Sequence, residues 1–135
     1  MFATFLFLYQ YLHSVWKKFI ILEMTDKIAV IAGQMPTMAN LLLSTERPIV
    51  NHSHYEDAGL RERTKKVYTV FSRKIPYEVY KNLVSLKVEY LILSAPWCLT
   101  TTRGGCALTE VWDIEEPDLK HSEPSKLCDP LKVPT

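Results

Sequence analysis

The central part of the chain alternates between short apolar runs and longer amphipathic stretches. A compact run with β-branched side chains extends from Lys27 to Ala32 and stops at Gly33, and a second run extends from Val88 to Leu93. Apolar runs of this length, closed by a turn residue, are typical of buried strands. Residues 60–74 and 76–87 instead carry apolar side chains at helical spacing. Two helices between two strands require a crossover connection, which predicts some parallel pairing.

Three shorter elements complete the predicted pattern. Pro36 suits the first turn of a short helix, where the missing N–H group costs nothing. Residues Arg47 to Val50 contain a proline and are predicted to form an edge strand or a strand start. Residues Glu110 to Ile114 are predicted to form a short last strand, with Trp112 packed in the core. The predicted fold class is therefore α/β, with a small mixed, partly parallel sheet and flanking helices.

The chain divides into an apolar N-terminal segment, an α/β domain and an irregular proline-rich tail, at residues 1–24, 25–116 and 117–135. The apolar segment contains Gln10 and His13 and is shorter than the roughly 20 apolar residues that a membrane-spanning helix needs. It also lacks the small-residue cleavage site of a signal peptide. An interfacial helix and a true span both remain open, and we expect a membrane contact through residues 1–22.

Charge and cysteine content narrow the functional classes. The chain has 16 Lys and Arg against 15 Asp and Glu, so its net charge of +1 gives no field for collecting phosphates, and no nucleic-acid partner is expected. Cys98 and Cys106 close a short loop and form the candidate disulfide, which requires an oxidising compartment. Cys128 stays free, pairs elsewhere or replaces either of the other two cysteines. Because no CxxC pair exists, a zinc site is not favoured.

A polar cluster follows the predicted edge strand, and its members are Asn51, His52, His54, Tyr55, Glu56 and Asp57. These residues either cap the next helix and satisfy loop backbone groups, or contact substrate where a sheet edge meets a helix start. His52 and His54 face the same side of an extended segment and suggest a metal, but structural metal sites normally need four ligands, so no metal is predicted. Asn51 also begins an N-x-S glycosylation acceptor.

Several separate motifs resemble one family. They are AGQMPTMAN, STERPIVNHSHYEDAGLRERTK, SRKIPYEV, YLILSAPWC, GGCALTEVWDIEEP and LCD. Together they resemble the C-terminal part of the dumpy-type (Dpy-like) protein tryptophan C-mannosyltransferases, between residues 27 and 130. The resemblance implies large multi-pass proteins of the endoplasmic reticulum membrane that transfer mannose from dolichyl phosphate mannose to tryptophan in WxxW motifs of secretory proteins. It also implies that the matched part is a luminal α/β domain.

The same resemblance implies that the chain alone lacks the catalytic part. Family members place a membrane bundle and an acidic catalytic loop before the matched region, and residues 1–26 contain no counterpart of that loop. We therefore expect a truncated, inactive product, such as that of a degenerate gene copy, with no catalytic residue and no cofactor of its own. The alternative is a non-enzymatic luminal or membrane-attached interaction domain, or a product without function.

Overall fold

The computed structural model describes residues 23, 25–52, 54, 56–93 and 108–120. The strands in these ranges are β1 (Ile31–Gly33) and β2 (Tyr90–Ile92). The α-helices are α1 (Met35–Thr45), α2 (Ala58–Tyr68), α3 (Pro76–Ser85) and α4 (Leu108–Glu115). Short 3-10 turns lie at Thr69–Phe71 and Pro117–Leu119, the second at the start of the segment predicted to be irregular. The predictions for residues 1–22, Tyr55, Cys98, Cys106 and Cys128 lie outside the described residues.

The two strands pair in parallel, which confirms the predicted crossover. Ile31 lies opposite Tyr90 in the register of β1 and β2, and Ile31 also forms a single parallel bridge to Ile49 on its other side. The predicted edge strand is therefore reduced to one bridge, and β1 lies in the middle of three parallel segments. β1 begins later than predicted because a turn precedes it. In this turn, the carbonyl oxygens of Thr25 and Asp26 accept hydrogen bonds from the buried side chain of Arg47.

Local sequence signals start each of the first three helices. Pro36 and Pro76 occupy the first turns of α1 and α3, as predicted. Asp57 is the N-cap of α2, where its Oδ1 accepts a hydrogen bond of 2.8 Å from the Leu60 backbone N–H. At its other end α1 stops at Glu46, whose backbone is left-handed with φ of 54°. The starts of these three helices lie within one or two residues of the predicted ones, but α2 ends at Tyr68, six residues before the end of the predicted helical stretch at residue 74.

The helices cover the sheet on both faces. On one face, α1 contributes Met38 and Leu41 to a cluster with Ile31 and Ile92. On the other face, the larger cluster combines strand residues with side chains from α2, α3, α4 and the first 3-10 turn. Its buried members are Ala32, Val50, Val67, Val70, Phe71, Val79, Leu83, Val88, Leu91, Leu93 and Trp112. The domain is thus a three-layer α/β/α arrangement around a very small sheet.

The predicted strand from Glu110 to Ile114 is wrong, because this segment is the helix α4. Its Val and Ile side chains favour a strand locally, but tertiary contacts override that preference. The indole Nε1 of Trp112 donates a 2.8 Å hydrogen bond to the Tyr68 carbonyl, and Ile114 is 80% exposed. Trp112 itself is buried, which confirms its predicted place in the core.

Ion pairs fasten α4 and the residue after it to the preceding layer. The guanidinium of Arg73 binds Asp113 through two hydrogen bonds of 2.6 and 2.9 Å, and both side chains are mostly buried. Lys74 contacts Glu116 at 2.5 Å. A bidentate pair of this kind fixes orientation as well as distance, so it sets the angle at which α4 packs.

The longest described helices, α1 and α2, each have 11 residues. A membrane span needs about 20 apolar residues, so within the described ranges no helix reaches that length.

Candidate functional site

The carboxyl ends of the three parallel segments meet at one edge of the sheet. β1 ends at Gly33, β2 ends at Ile92, and the segment through Ile49 continues to Asn51. After β1 the chain passes to α1 on one face, and after Asn51 it passes to α2 on the other face. The two connections therefore diverge at this edge, which is the position where open α/β folds bind ligands. The polar cluster predicted from the sequence lies here.

Asn51 is part of the framework of this edge. Its side chain is fully buried, its Nδ2 donates a 2.7 Å hydrogen bond to the Gly33 carbonyl, and its Oδ1 accepts one of 3.3 Å from the Gly33 N–H. Two residues earlier along β1, the Ile31 N–H donates to the Pro48 carbonyl and the Ile31 carbonyl accepts from the Val50 N–H. The Asn51 amide thus replaces a backbone peptide as the next rung of the ladder.

This burial bears on the predicted glycosylation of Asn51. The amide nitrogen that would carry the glycan is enclosed and bonded to Gly33. A glycan could be attached only before this segment folds, and its presence would displace the rung. Glycosylation of Asn51 therefore stays a prediction that the folded geometry opposes.

His52, His54 and Glu56 form the outward-facing half of the cluster. The two imidazole rings stack with centroids 4.5 Å apart and an angle of 19° between their planes. His54 Nδ1 lies 4.0 Å from Glu56 Oε2, and these two side chains are 69% and 89% exposed. His52 is half-buried, and its enclosed Nδ1 has no hydrogen-bond partner among the described residues. This half offers polar atoms to solvent or to a ligand.

Asp57 has a structural task. The hydrogen bond from the Leu60 backbone N–H lowers the pKa of the Asp57 carboxyl below its ordinary value, and the Gly59 N–H and the charge of Arg63 act in the same direction. The charged carboxylate is thereby held as the cap of α2. Asn51 and Asp57 thus both fit the interpretation in which the cluster supports the local backbone.

Three residues at this edge were not among those predicted for the site. Gln34 is buried directly after β1, and the Met35 N–H at the start of α1 donates a 3.0 Å hydrogen bond to the Tyr68 hydroxyl. Arg63 Nε donates to the Val50 carbonyl at 3.2 Å. The position of Gln34, immediately after a strand, is a signal that could have identified it. Tyr68 and Arg63 belong to an amphipathic helix pattern that gives no such signal.

The described residues at this edge offer polar atoms that can contact a ligand, but they do not form a paired acid and base. The 4.0 Å contact between His54 and Glu56 is longer than a hydrogen bond, so neither group orients the other for proton transfer. In the residues that the structure describes, no three His, Cys, Asp or Glu side chains come close enough to hold a metal ion.

Comparison with known proteins gives one family. The family model Dpy19, described as Q-cell neuroblast polarisation, matches residues 18–135. The chain is 53% identical over 107 residues to protein C-mannosyl-transferase DPY19L1 of Rattus norvegicus and 54% identical over 107 residues to that of Mus musculus. Each match covers 79% of this chain and 14% of the relative. C-mannosyltransferase dpy-19 of Caenorhabditis elegans is 46% identical over 106 residues, which cover 78% of this chain and 15% of that protein. The chain thus spans about one seventh of the length of these relatives.

Proposed function

The chain belongs to the Dpy19 family, and from this premise we propose that it corresponds to a luminal α/β domain of a tryptophan C-mannosyltransferase. In the complete protein, mannose would pass from dolichyl phosphate mannose to tryptophan in WxxW motifs of secretory proteins. The observation that carries the proposal is the 53% identity over 107 residues to a protein named as a C-mannosyl-transferase. Identity at this level over a folded three-layer domain supports a common role for the domain.

We propose further that the chain is inactive by itself. The reaction forms a carbon–carbon bond between the indole ring and the anomeric carbon of mannose, releases dolichyl phosphate, and removes a proton from the indole carbon. It needs a base, a sheltered donor site and accurate positioning, which is a major source of rate in such reactions. The chain spans 14% of the rat relative, and two of its polar candidates, Asn51 and Asp57, serve the framework.

The exposed half of the polar cluster is our candidate for substrate contact in the complete enzyme. His54 and Glu56 are largely exposed at the edge where the connections to α1 and α2 diverge. They form one wall of a groove whose catalytic wall belongs to the remainder of the protein. We place this domain in the lumen of the endoplasmic reticulum, with a membrane contact through residues 1–22.

A transfer assay tests the proposal. The purified chain is incubated with a WxxW peptide and dolichyl phosphate mannose, and hexose addition to tryptophan is measured by mass spectrometry. Full-length rat protein C-mannosyl-transferase DPY19L1 is the positive control. We expect no product above the enzyme-free background from the chain alone, and any turnover would contradict its inactivity.

Substrate contact is tested in the rat protein, where the residues matching His54 and Glu56 are replaced by Ala and Gln. Unchanged KM and kcat would contradict their contact with substrate.

Luminal placement is tested separately with microsomes. The chain is expressed with intact membranes and then treated with protease, with and without detergent. Protection that is lost on adding detergent is the expected result, and full digestion of sealed microsomes would contradict luminal placement.

A second candidate function is a non-enzymatic interaction domain. The observation that favours it is a set of exposed aromatic and apolar side chains on α3, at Tyr77, Tyr80 and Val84. The two functions differ in what they predict for transfer: an interaction domain would bind other family chains without supporting mannose transfer.

A further inference from the structure

Helix α3 carries apolar side chains well beyond the face that it buries. Val79 and Leu83 point into the core and are almost fully enclosed. Beside them, Tyr77, Tyr80 and Val84 are 64%, 36% and 46% exposed, and we name these three residues the α3 stripe. Single exposed apolar residues are ordinary on protein surfaces, but three on one helix face form a patch.

The spacing of the α3 stripe matches a helix partner. The three residues are separated by three and then four positions, which is the repeat that places side chains along one seam of a helix pair. An amphipathic helix recognised through such a seam contributes apolar anchors at the same intervals. The stripe is therefore shaped for one helix lying along α3.

Lys81 adds a charge requirement. Its side chain is exposed, and its Nζ lies 5.5 Å from the centre of the Tyr77 ring at the border of the stripe. Several other cations of this domain contact carboxylates, namely Lys65, Lys66, Arg73 and Lys74. Lys81 has no carboxylate within ion-pair distance in the described part of the chain. A partner with an acidic side chain beside its apolar seam would complete this pair.

A second copy of the chain fits this surface poorly. The midpoint of the stripe lies between Tyr80 and Lys81, so an antiparallel pair of two α3 helices would bring the two Lys81 side chains together. Like charges facing each other across a symmetric interface oppose association. A bilayer fits less well than a helix, because the exposed carboxylate of Glu78 follows Tyr77 directly.

We propose that the α3 stripe docks an amphipathic helix, acidic next to Lys81, that belongs to the part of Dpy19-family proteins outside the region matched here. The matched region covers 14% of the rat relative, so the remainder of that protein contains chain from which such a helix can come. This inference rests on family membership and uses no transfer activity. Its failure and that of the proposed function are therefore separate results.

Co-expression tests this docking. The tagged chain is expressed with rat protein C-mannosyl-transferase DPY19L1 from which the 107 matching residues are deleted, and the captured ratio of the two proteins is measured in mild detergent. The test variant is Tyr77→Gln with Val84→Gln, which keeps good helix formers on α3. The matched control is Leu43→Gln, because Leu43 is 84% exposed on α1, on the opposite face of the sheet. Circular dichroism checks that each variant is folded.

We expect the double variant to reduce capture by about tenfold or more, as truncation of interface anchors does. Lys81→Glu, which leaves the stripe intact, should reduce capture by about three- to tenfold, and the Leu43 control should match the wild type. Absence of capture of the deleted relative by the wild-type chain, or equal capture by the double variant, overturns the proposal. Two further results would overturn it by assigning the stripe to another occupant. In the first, the double variant abolishes self-association of the chain but leaves capture unchanged. In the second, it abolishes flotation of the chain with phosphatidylcholine vesicles but leaves capture unchanged.

Discussion

Replacing Asn51 by alanine should lower the free energy of unfolding of the domain by much more than its place in a polar cluster suggests. The substitution removes both hydrogen bonds between the side-chain amide and Gly33, of 2.7 and 3.3 Å. Gly33 is itself buried, so water cannot replace the lost partners. The change therefore leaves one N–H and one C=O group of β1 without a partner inside the domain.

The expected loss follows from these two groups. A buried polar group without a partner costs about 1–3 kcal/mol, and the space left by the amide adds a further cavity cost. We expect the free energy of unfolding to fall by about 3 kcal/mol, out of a total of about 5–15 kcal/mol for a typical domain. If the free energy of unfolding falls by about 2 kcal/mol per molar urea, the unfolding midpoint should fall by about 1.5 M.

Urea unfolding followed by circular dichroism measures this loss. Ser53→Ala is the sharpest control, because it destroys the N-x-S acceptor while leaving the Asn51 amide in place. Asn40→Ala, at an exposed position of α1, controls for loss of an amide as such. A midpoint for Asn51→Ala within about 0.3 M of the wild type would refute the reasoning, since that difference is about 0.6 kcal/mol. An equal loss in Ser53→Ala would also refute it, because that variant keeps the Asn51 amide and its bonds to Gly33.

Three further predictions follow from backbone and charge geometry. Gly33→Ala should cost about 2 kcal/mol in urea unfolding, because the added methyl carbon would lie 2.6 Å from the Ile92 carbonyl oxygen, and a neutral result would contradict that close approach. Glu46→Gly should stabilise the domain by about 1 kcal/mol and so raise its melting temperature, because glycine adopts φ of 54° without steric cost. A lower melting temperature would contradict this. The hydrogen bond from Arg73 lowers the pKa of Asp113 in the folded protein, so its stabilisation is present above the ordinary pKa near 3.8 and is lost as the pH falls through the lower folded value. Asp113→Asn should flatten this part of the acid unfolding curve, and an unchanged curve would rule out the linkage.

The sequence predicts α1, α3 and β2 well because their signals are local. A proline in the first helical turn and a regular apolar spacing are written in neighbouring residues, and the tertiary structure uses the same residues in the same way. The prediction of parallel pairing is also confirmed, because it follows from chain order and not from any one contact. The lengths of the elements differ: a turn at residues 25–28 delays the start of β1, a turn at residues 86–87 ends α3 two residues early, and β2 is three residues long.

The failures arise where distant residues decide the outcome. Val111, Trp112 and Ile114 favour a strand locally, but the segment is the helix α4, whose Trp112 donates a hydrogen bond to the Tyr68 carbonyl at the end of α2. The roles of the polar residues follow the same rule. Nothing near Asn51 in the sequence shows that its amide reaches Gly33, 18 residues earlier, so burial and exposure within the cluster could not be assigned. Substrate contact by His54 and Glu56 stays a prediction.

The parallel pairing of β1 with β2 also has a consequence for synthesis on the ribosome. The paired residues Ile31 and Tyr90 are 59 positions apart, so at about 5–20 residues per second β2 follows β1 by roughly 3–12 s. The segment from Pro48 to Asn51 emerges much sooner and can close one edge of β1 early. The other edge stays open until β2 arrives, and an open strand edge is a template for aggregation. The lifetime of the vulnerable nascent chain is therefore set by the speed of translation, and slower elongation between these two strands should lower the yield of folded protein.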